Sequence, residues 1–386
     1  MTPASEQAVQ IDRWLDQKVL RFEGPIEQQS TRDRWIRDTA HFGISLLSEL
    51  RSIGAAAPGY LAEWLRNGFY PEQMTFRKLP YLPERADLAM LKRANPDWEF
   101  REDFNPRHWV FVFLHGYIDN SGADRVAYKL ASLGYQVYLI RYPFLRNVRR
   151  LAGELEEMLE LIWRREKGKR FVPVGHSLGG FIWDHLLLHK PELVDKYNMP
   201  LYIPIGSPRF GTVVANIGVG ASARQMQPNS DVVLEHLNRR FPPDFEVYPF
   251  VSRFDLLVIP IESSLLRRGV NYLFSETGHI AQILRNETVE AIEEIIASPR
   301  EVLEERALKR PFYFASLTNL MSKLPRHIQK QIGVSGVIDY VQGAPGEDPP
   351  EFKLRIVHHE LRLGLIPTLN REESPRQRRG ALGLAV

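Results

Sequence analysis

The stretch Phe171-Val-Pro-Val-Gly-His-Ser-Leu-Gly-Gly180 constrains the fold more than any other part of this chain. An apolar run (Phe171, Val172, Val174) stops at Gly175, and a helical apolar pattern (Phe181, Ile182, Leu186, Leu187) starts beyond Gly179. Between them lies the G-x-S-x-G sequence Gly175-His-Ser-Leu-Gly179. A serine lifted out of a sheet edge on a strand-to-helix turn needs a tight, strained backbone. Side chains at the two glycines would crowd the strand and helix they join. The pentapeptide alone is weak evidence; its weight comes from the strand before it, the helix after it and partners further along.

With 386 residues, 44% of them hydrophobic, the chain can bury a large core and still carry added segments. A net charge of +3 gives no reason to expect a nucleic-acid partner. Arginines gather at Arg146, Arg149, Arg150, Arg164 and Arg165, and again at Arg376, Arg378 and Arg379. These read first as solvated helix faces and a frayed tail, and second as a weak attraction to anionic lipid. The absence of cysteine excludes disulfides, thiolate catalysis and cysteine-based metal sites. The first twenty residues carry Glu6, Asp12 and Asp16 and lack an uninterrupted apolar run, so they do not read as a secretory signal. Phe42 to Leu65 is broken by Glu49, Arg51, Pro58 and Glu63, too often for a plain membrane-spanning helix. A cytoplasmic location is the expectation, with peripheral membrane contact left open.

Three parts and no internal repeat are expected. Residues 1–95 read as a mostly helical extension with aromatic stripes (Trp14, Trp35, Phe42), which as core positions need no membrane. Residues 96–299 alternate short strands with helices, the pattern of a mostly parallel sheet covered by helices. Strands are expected at Trp109–Leu114, Gln136–Ile140, Phe171–Val174, Leu201–Ile205 and Glu246–Val251. Helices are expected at Asp124–Leu133, Leu151–Arg165, Gly180–His189 and Thr288–Ala297. Residues 300–386 form a C-terminal extension with a loop at Gly343–Pro350 and a partly disordered tail.

A serine nucleophile needs a base, an acid to orient that base, and donors for the oxyanion. The base candidate is His279, on a loop before a helix and well after the last expected strand; His176, His185 and His189 are rivals. His176, next to Ser177, is expected to point away from it. The acid candidate is Asp255, where a strand-like run ends, with Asp231, Asp244 and Glu262 as rivals. Backbone N–H groups of Leu178 and Tyr117 are the oxyanion candidates, the second lying in His115-Gly-Tyr117 directly after a strand. His115-x-x-x-Asp119 also has a spacing seen in some acyltransferases, but the strand-then-HG context favours an oxyanion loop buttressed by His115.

This constellation resembles the bacterial lipase and esterase branch of the α/β-hydrolase superfamily. Four further stretches are similar to that branch: Gly206–Thr212, Ala221–Ser230, Asp255–Pro260 and Phe274–Asn286. The likeness covers about half the chain, residues 108 to 298. It implies an α/β-hydrolase fold, a Ser177-Asp255-His279 triad, an oxyanion hole at Tyr117 and Leu178, and a carboxylic ester, lipid-like or apolar, as substrate. It requires no cofactor. Some relatives hold calcium near the histidine loop through aspartates; none lies between Asp255 and His279, so no metal is expected.

Residues 211–245 sit between two expected core strands and carry apolar helices. They are expected to form a cap over the serine, the plainer alternative being a crossover packed on the sheet. The same triad would also serve an acyltransferase or thioesterase. A non-catalytic binding module on this fold is a further alternative, which a complete triad disfavours.

Overall fold

The computed structural model describes residues 70–117, 125–274, 277–312, 316–343 and 348–357, together with Leu50. The aromatic stripes of the N-terminal extension, Asp119 and the last residues lie outside the described residues.

The described residues form ten strands, the expected apolar runs among them: β1 (Thr75–Lys78), β2 (Trp109–Leu114), β3 (Gln136–Arg141), β4 (Arg170–His176), β5 (Leu201–Ile205), β6 (Glu246–Val247), β7 (Phe250–Ser252), β8 (Val270–Phe274), β9 (Leu308–Pro311) and β10 (Glu351–Val357). They form one sheet in the order β1-β3-β2-β4-β5-β7-β8-β10-β9, with β6 beside β5. All pairings are parallel except the two at the ends, where β1 and β9 run against their neighbours.

The central strands are buried on both faces, which is why they read as unbroken apolar runs. In β2, Val110, Val112 and Leu114 enter one core, and Trp109, Phe111 and Phe113 the other. The first core is covered by helices Val148–Arg165 and Leu178–His189, the second by Arg125–Ser132 and Asn286–Ala297. Each large aliphatic or aromatic side chain buried this way contributes roughly 1.5–3 kcal/mol. The fold is that of an α/β-hydrolase: a mostly parallel sheet sandwiched between helices.

Strands β2 and β5 begin and end where the sequence places them. The expected strand Glu246–Val251 is instead two short strands, separated by Tyr248 and Pro249. After residue 299 the chain returns to the same sheet, with β10 parallel to β8 and β9 at the edge. Of the five clustered arginines among the described residues, four are ion-paired on the surface: Arg146 and Arg150 with Glu154, Arg149 with Asp231 and Glu235, and Arg164 with Glu160.

Register decides where the functional loops emerge. Leu114 pairs with Gly175, His176 with Ile205, Ile205 with Phe250, and Ser252 with Phe274. The segments after β2, β4, β5, β7 and β8 therefore leave the sheet at one carboxyl edge. From β2 the chain crosses to β3 on one side, and from β4 to β5 on the other. The crevice between β2 and β4 is thus a switch point, where ligand sites form in open parallel sheets.

Candidate active site

Ser177 stands at this switch point, between β4 and the helix Leu178–His189. Its φ of 53° and ψ of −119° are strained for a residue with a side chain and cost of order 1–3 kcal/mol. The turn is held by the Ser177 N–H donating to the Ile205 carbonyl at 2.8 Å. Glycine is needed on both sides. A Cβ at Gly175 would run into the backbone of Gly179 and Gly180, and one at Gly179 into the carbonyls of Leu114 and His115. The serine is half-buried while its neighbours are buried.

Asp255 follows β7 by three residues. Its Oδ1 accepts from the Leu257 and Val258 N–H groups, each at 2.8 Å, and its Oδ2 accepts from His279 Nδ1 at 2.6 Å. Both side chains are only 2% exposed, so the pair is almost fully desolvated. Bonded in this way, His279 carries its Nδ1 proton toward Asp255 and keeps Nε2 for another partner. The loop bearing His279 is held down by Ser252, whose hydroxyl donates to the Thr277 carbonyl. His279 follows a strand that the sequence reading did not anticipate, β8, whose end lies five residues before it.

His279 and Ser177 share neighbours. The rings of His176 and His279 lie 4.7 Å apart, and His176 Nε2 is 3.3 Å from the His279 carbonyl. Gly206, next to the Ile205 that anchors Ser177, would bring a Cβ to 3.1 Å from the His279 ring. His176 thus packs against His279. Burial, and then the neighbouring His279, push its pKa well below the usual histidine range.

The loop after β2 is similarly constrained. A Cβ at Gly116 would lie 2.9 Å from His176 Nδ1 and 3.2 Å from Ser177 Cβ, so the backbone passes directly against the serine. His115 is buried, stacked on Tyr142 at 4.1 Å, with its Nδ1 donating to the Gly116 carbonyl at 2.8 Å. Leu178 is the first residue of its helix, and its N–H has no carbonyl one turn back to bond. The Tyr117 hydroxyl accepts from Val219 N at 3.0 Å and donates to Val219 O, tying this loop to the 211–245 insertion.

The rival residues are engaged elsewhere. Asp231 pairs with Arg149, Asp244 is exposed, and Glu262 is buried, accepting from the Thr318 hydroxyl at 2.6 Å. His185 and His189 lie toward the far end of the helix Leu178–His189 that follows Ser177. Sequence reasoning missed the support beneath that helix. Asp184, fully buried, binds the Arg209 guanidinium and accepts from the Ser207 hydroxyl at 3.2 Å. The Gly206–Gly211 stretch held the signal, since an arginine between apolar residues after a strand needs a buried partner. A cavity of about 250 Å³ opens beside Arg209, Arg239, Phe241 and Tyr340, and none of Ser177, Asp255 and His279 lines it. Among the described residues, no converging group of three or more His, Asp or Glu ligands includes a triad candidate.

No family model matches the chain, and no curated protein matches it. Solved structures similar to it include phospholipase PlaB from Legionella pneumophila, at 16% identity over 37% of this chain and 39% of that one, with a TM-score of 0.32. Lipase BlEst2 from Bacillus licheniformis in its propeptide form is 15% identical over 52% of this chain and 53% of that one, with a TM-score of 0.39. Esterase B from Lactobacillus rhamnosis is 14% identical over 67% of this chain and 94% of that one, with a TM-score of 0.40. The chain thus spans between two fifths and just over half of the first two.

Proposed function

We propose that the chain is a carboxylic ester hydrolase working through an acyl-enzyme. Ser177 Oγ attacks the ester carbonyl while His279 Nε2 takes its proton, and Asp255 holds the imidazole in the required tautomer and stabilises the imidazolium. The N–H groups of Tyr117 and Leu178 bind the tetrahedral oxyanion. His279 then protonates the leaving alcohol, and water, deprotonated by the same imidazole, releases the acid and restores Ser177. The observation that carries this reading is the desolvated 2.6 Å bond from His279 to Asp255 at the sheet edge where Ser177 is held at positive φ. A buried acid–base pair beside a strained, half-exposed serine has no comparable use in a purely structural turn.

An apolar acyl group is the favoured substrate part. The insertion bonded to Tyr117 presents Ile217 and Val219, 86% and 66% exposed, beside the proposed oxyanion loop. We assign the insertion a capping role on that basis.

Hydrolysis of p-nitrophenyl esters from acetate to palmitate, by wild type and Ser177→Ala, tests the proposal. Turnover should fall about 10⁴-fold or more in the folded variant, and the chain-length optimum reports the acyl preference. Acyl transfer to an added alcohol in preference to water would identify a transferase on the same triad. Equal turnover by both proteins would refute the serine mechanism.

A further inference from the structure

His185 and His189 are one helical turn apart on the helix that begins at Ser177, so their rings share a face. Facing them is Glu235, on the helix Asp231–Asn238 of the 211–245 insertion. One ring nitrogen from each histidine and a Glu235 carboxylate oxygen converge, all within 4.8 Å of one another. We propose that these three side chains bind a divalent transition-metal ion of zinc type, clipping the insertion to the nucleophile helix.

The proton arrangement carries the argument. His189 Nδ1 donates to the His185 carbonyl at 2.8 Å, which in the neutral ring leaves a lone pair on Nε2. That lone pair faces Glu235 Oε2 at 3.1 Å, acceptor against acceptor. His185 Nδ1 lies 4.0 Å from the same oxygen, is buried, and has no hydrogen-bond partner. A proton on His189 would reconcile the first pair but leave His185 Nδ1 unmatched. One cation satisfies all three atoms.

The dimensions fit. Zinc binds imidazole nitrogen and carboxylate oxygen at about 2.0–2.2 Å, which in a tetrahedron sets ligand atoms roughly 3.3–3.6 Å apart. The two distances from Glu235 Oε2, 3.1 Å to His189 Nε2 and 4.0 Å to His185 Nδ1, bracket that range. The histidine bonded through Nδ1 to a carbonyl and the carboxylate bonded through its other oxygen are the outer contacts that orient metal ligands. Here Arg149 Nη2 holds Glu235 Oε1 at 2.5 Å. That guanidinium also repels a cation, but its charge is shared with Asp231 at 2.8 Å. Two imidazoles and one carboxylate favour zinc over calcium or magnesium, which prefer all-oxygen shells. The site lies about 12–18 Å along the helix from Ser177, so the ion takes no part in the ester chemistry proposed above.

The test is zinc titration of the full chain, stripped with a chelator, against a competing fluorescent zinc indicator. His189→Gln and Glu235→Gln serve as controls, because both residues are only half-buried and each variant can be checked for folding by circular dichroism. One zinc per chain in wild type, weakened at least about 100-fold in both folded variants, is the expected result. Cobalt in place of zinc should give the visible absorption of a four-coordinate ion in wild type alone. Zinc uptake equal in wild type and both variants, or none by wild type, would overturn the site.

Discussion

His115 donates its Nδ1–H to the carbonyl of Gly116, the next residue along the chain, at 2.8 Å. That carbonyl belongs to the same planar peptide as the Tyr117 N–H, so the imidazole fixes the direction of the proposed oxyanion donor. The ring is itself fixed by stacking on Tyr142, whose hydroxyl also bonds the His115 carbonyl at 2.5 Å.

His115→Phe keeps a flat ring against Tyr142 but loses the donor. Turnover should fall about 10- to 100-fold, less than the loss of a direct oxyanion contact, with KM little changed. His115→Asn, whose amide can donate from near the Nδ1 position, should recover part of it. Steady-state kinetics of the two variants check this; equal losses in both would show that only packing matters.

Asp255→Asn replaces the acceptor of His279 Nδ1–H with a group that can present a donor. The imidazole would then turn or adopt the other tautomer, and turnover should fall about 10³–10⁴-fold. The Leu257 and Val258 N–H groups still find the side-chain oxygen, so the variant should fold. Ester kinetics beside a circular dichroism spectrum separate the two effects, and retained activity would remove Asp255 from the mechanism.

Gly206→Ala isolates the placement of His279, the proposed base. Its φ of 53° suits glycine, and an alanine there costs about 1–2 kcal/mol. The added methyl would lie 3.1 Å from the His279 ring and 3.4 Å from Asp255 Oδ2. Turnover should drop about 100-fold while the protein still unfolds cooperatively. Unchanged kcat would mean that His279 tolerates displacement and is not the base.

Acid should destabilise the fold through His115 and His176. Burial, with Arg141 as a lesser cause, lowers His115 to about 4, and burial with the neighbouring His279 also pushes His176 well below the usual histidine range. The unfolded chain protonates these rings near pH 6.5, before the native state does. Stability is therefore full above that value and falls as pH drops through it, by about 1.4 kcal/mol per pH unit for each ring. Urea midpoints between pH 7.5 and 5 measure the slope, which should be shallower in His115→Asn. Identical slopes would exclude His115 from the linkage.

The local parts of this protein were legible because their causes are local. The glycines of Gly175–Gly180 are required by contacts within a few residues, and β2 and β5 are apolar because helices cover both their faces. Strands β1, β9 and β10 did not show. TFRK, LKRP and EFKLRIV carry the charges of a sheet margin and break any apolar run. Strand β8 was hidden by Asn271, fully buried, whose amide bonds Leu266 and the Lys353 carbonyl. Sequence order named Asp255 and His279 as candidates, but their bond spans 24 residues and joins the loops after two strands, β7 and β8. Only the register of β7 against β8 brings those two ends together. The same holds for Glu235 against His185 and His189, and for Arg209 under Asp184. Periodicity tells a residue which face it occupies; packing of separate elements decides which side chain it meets there.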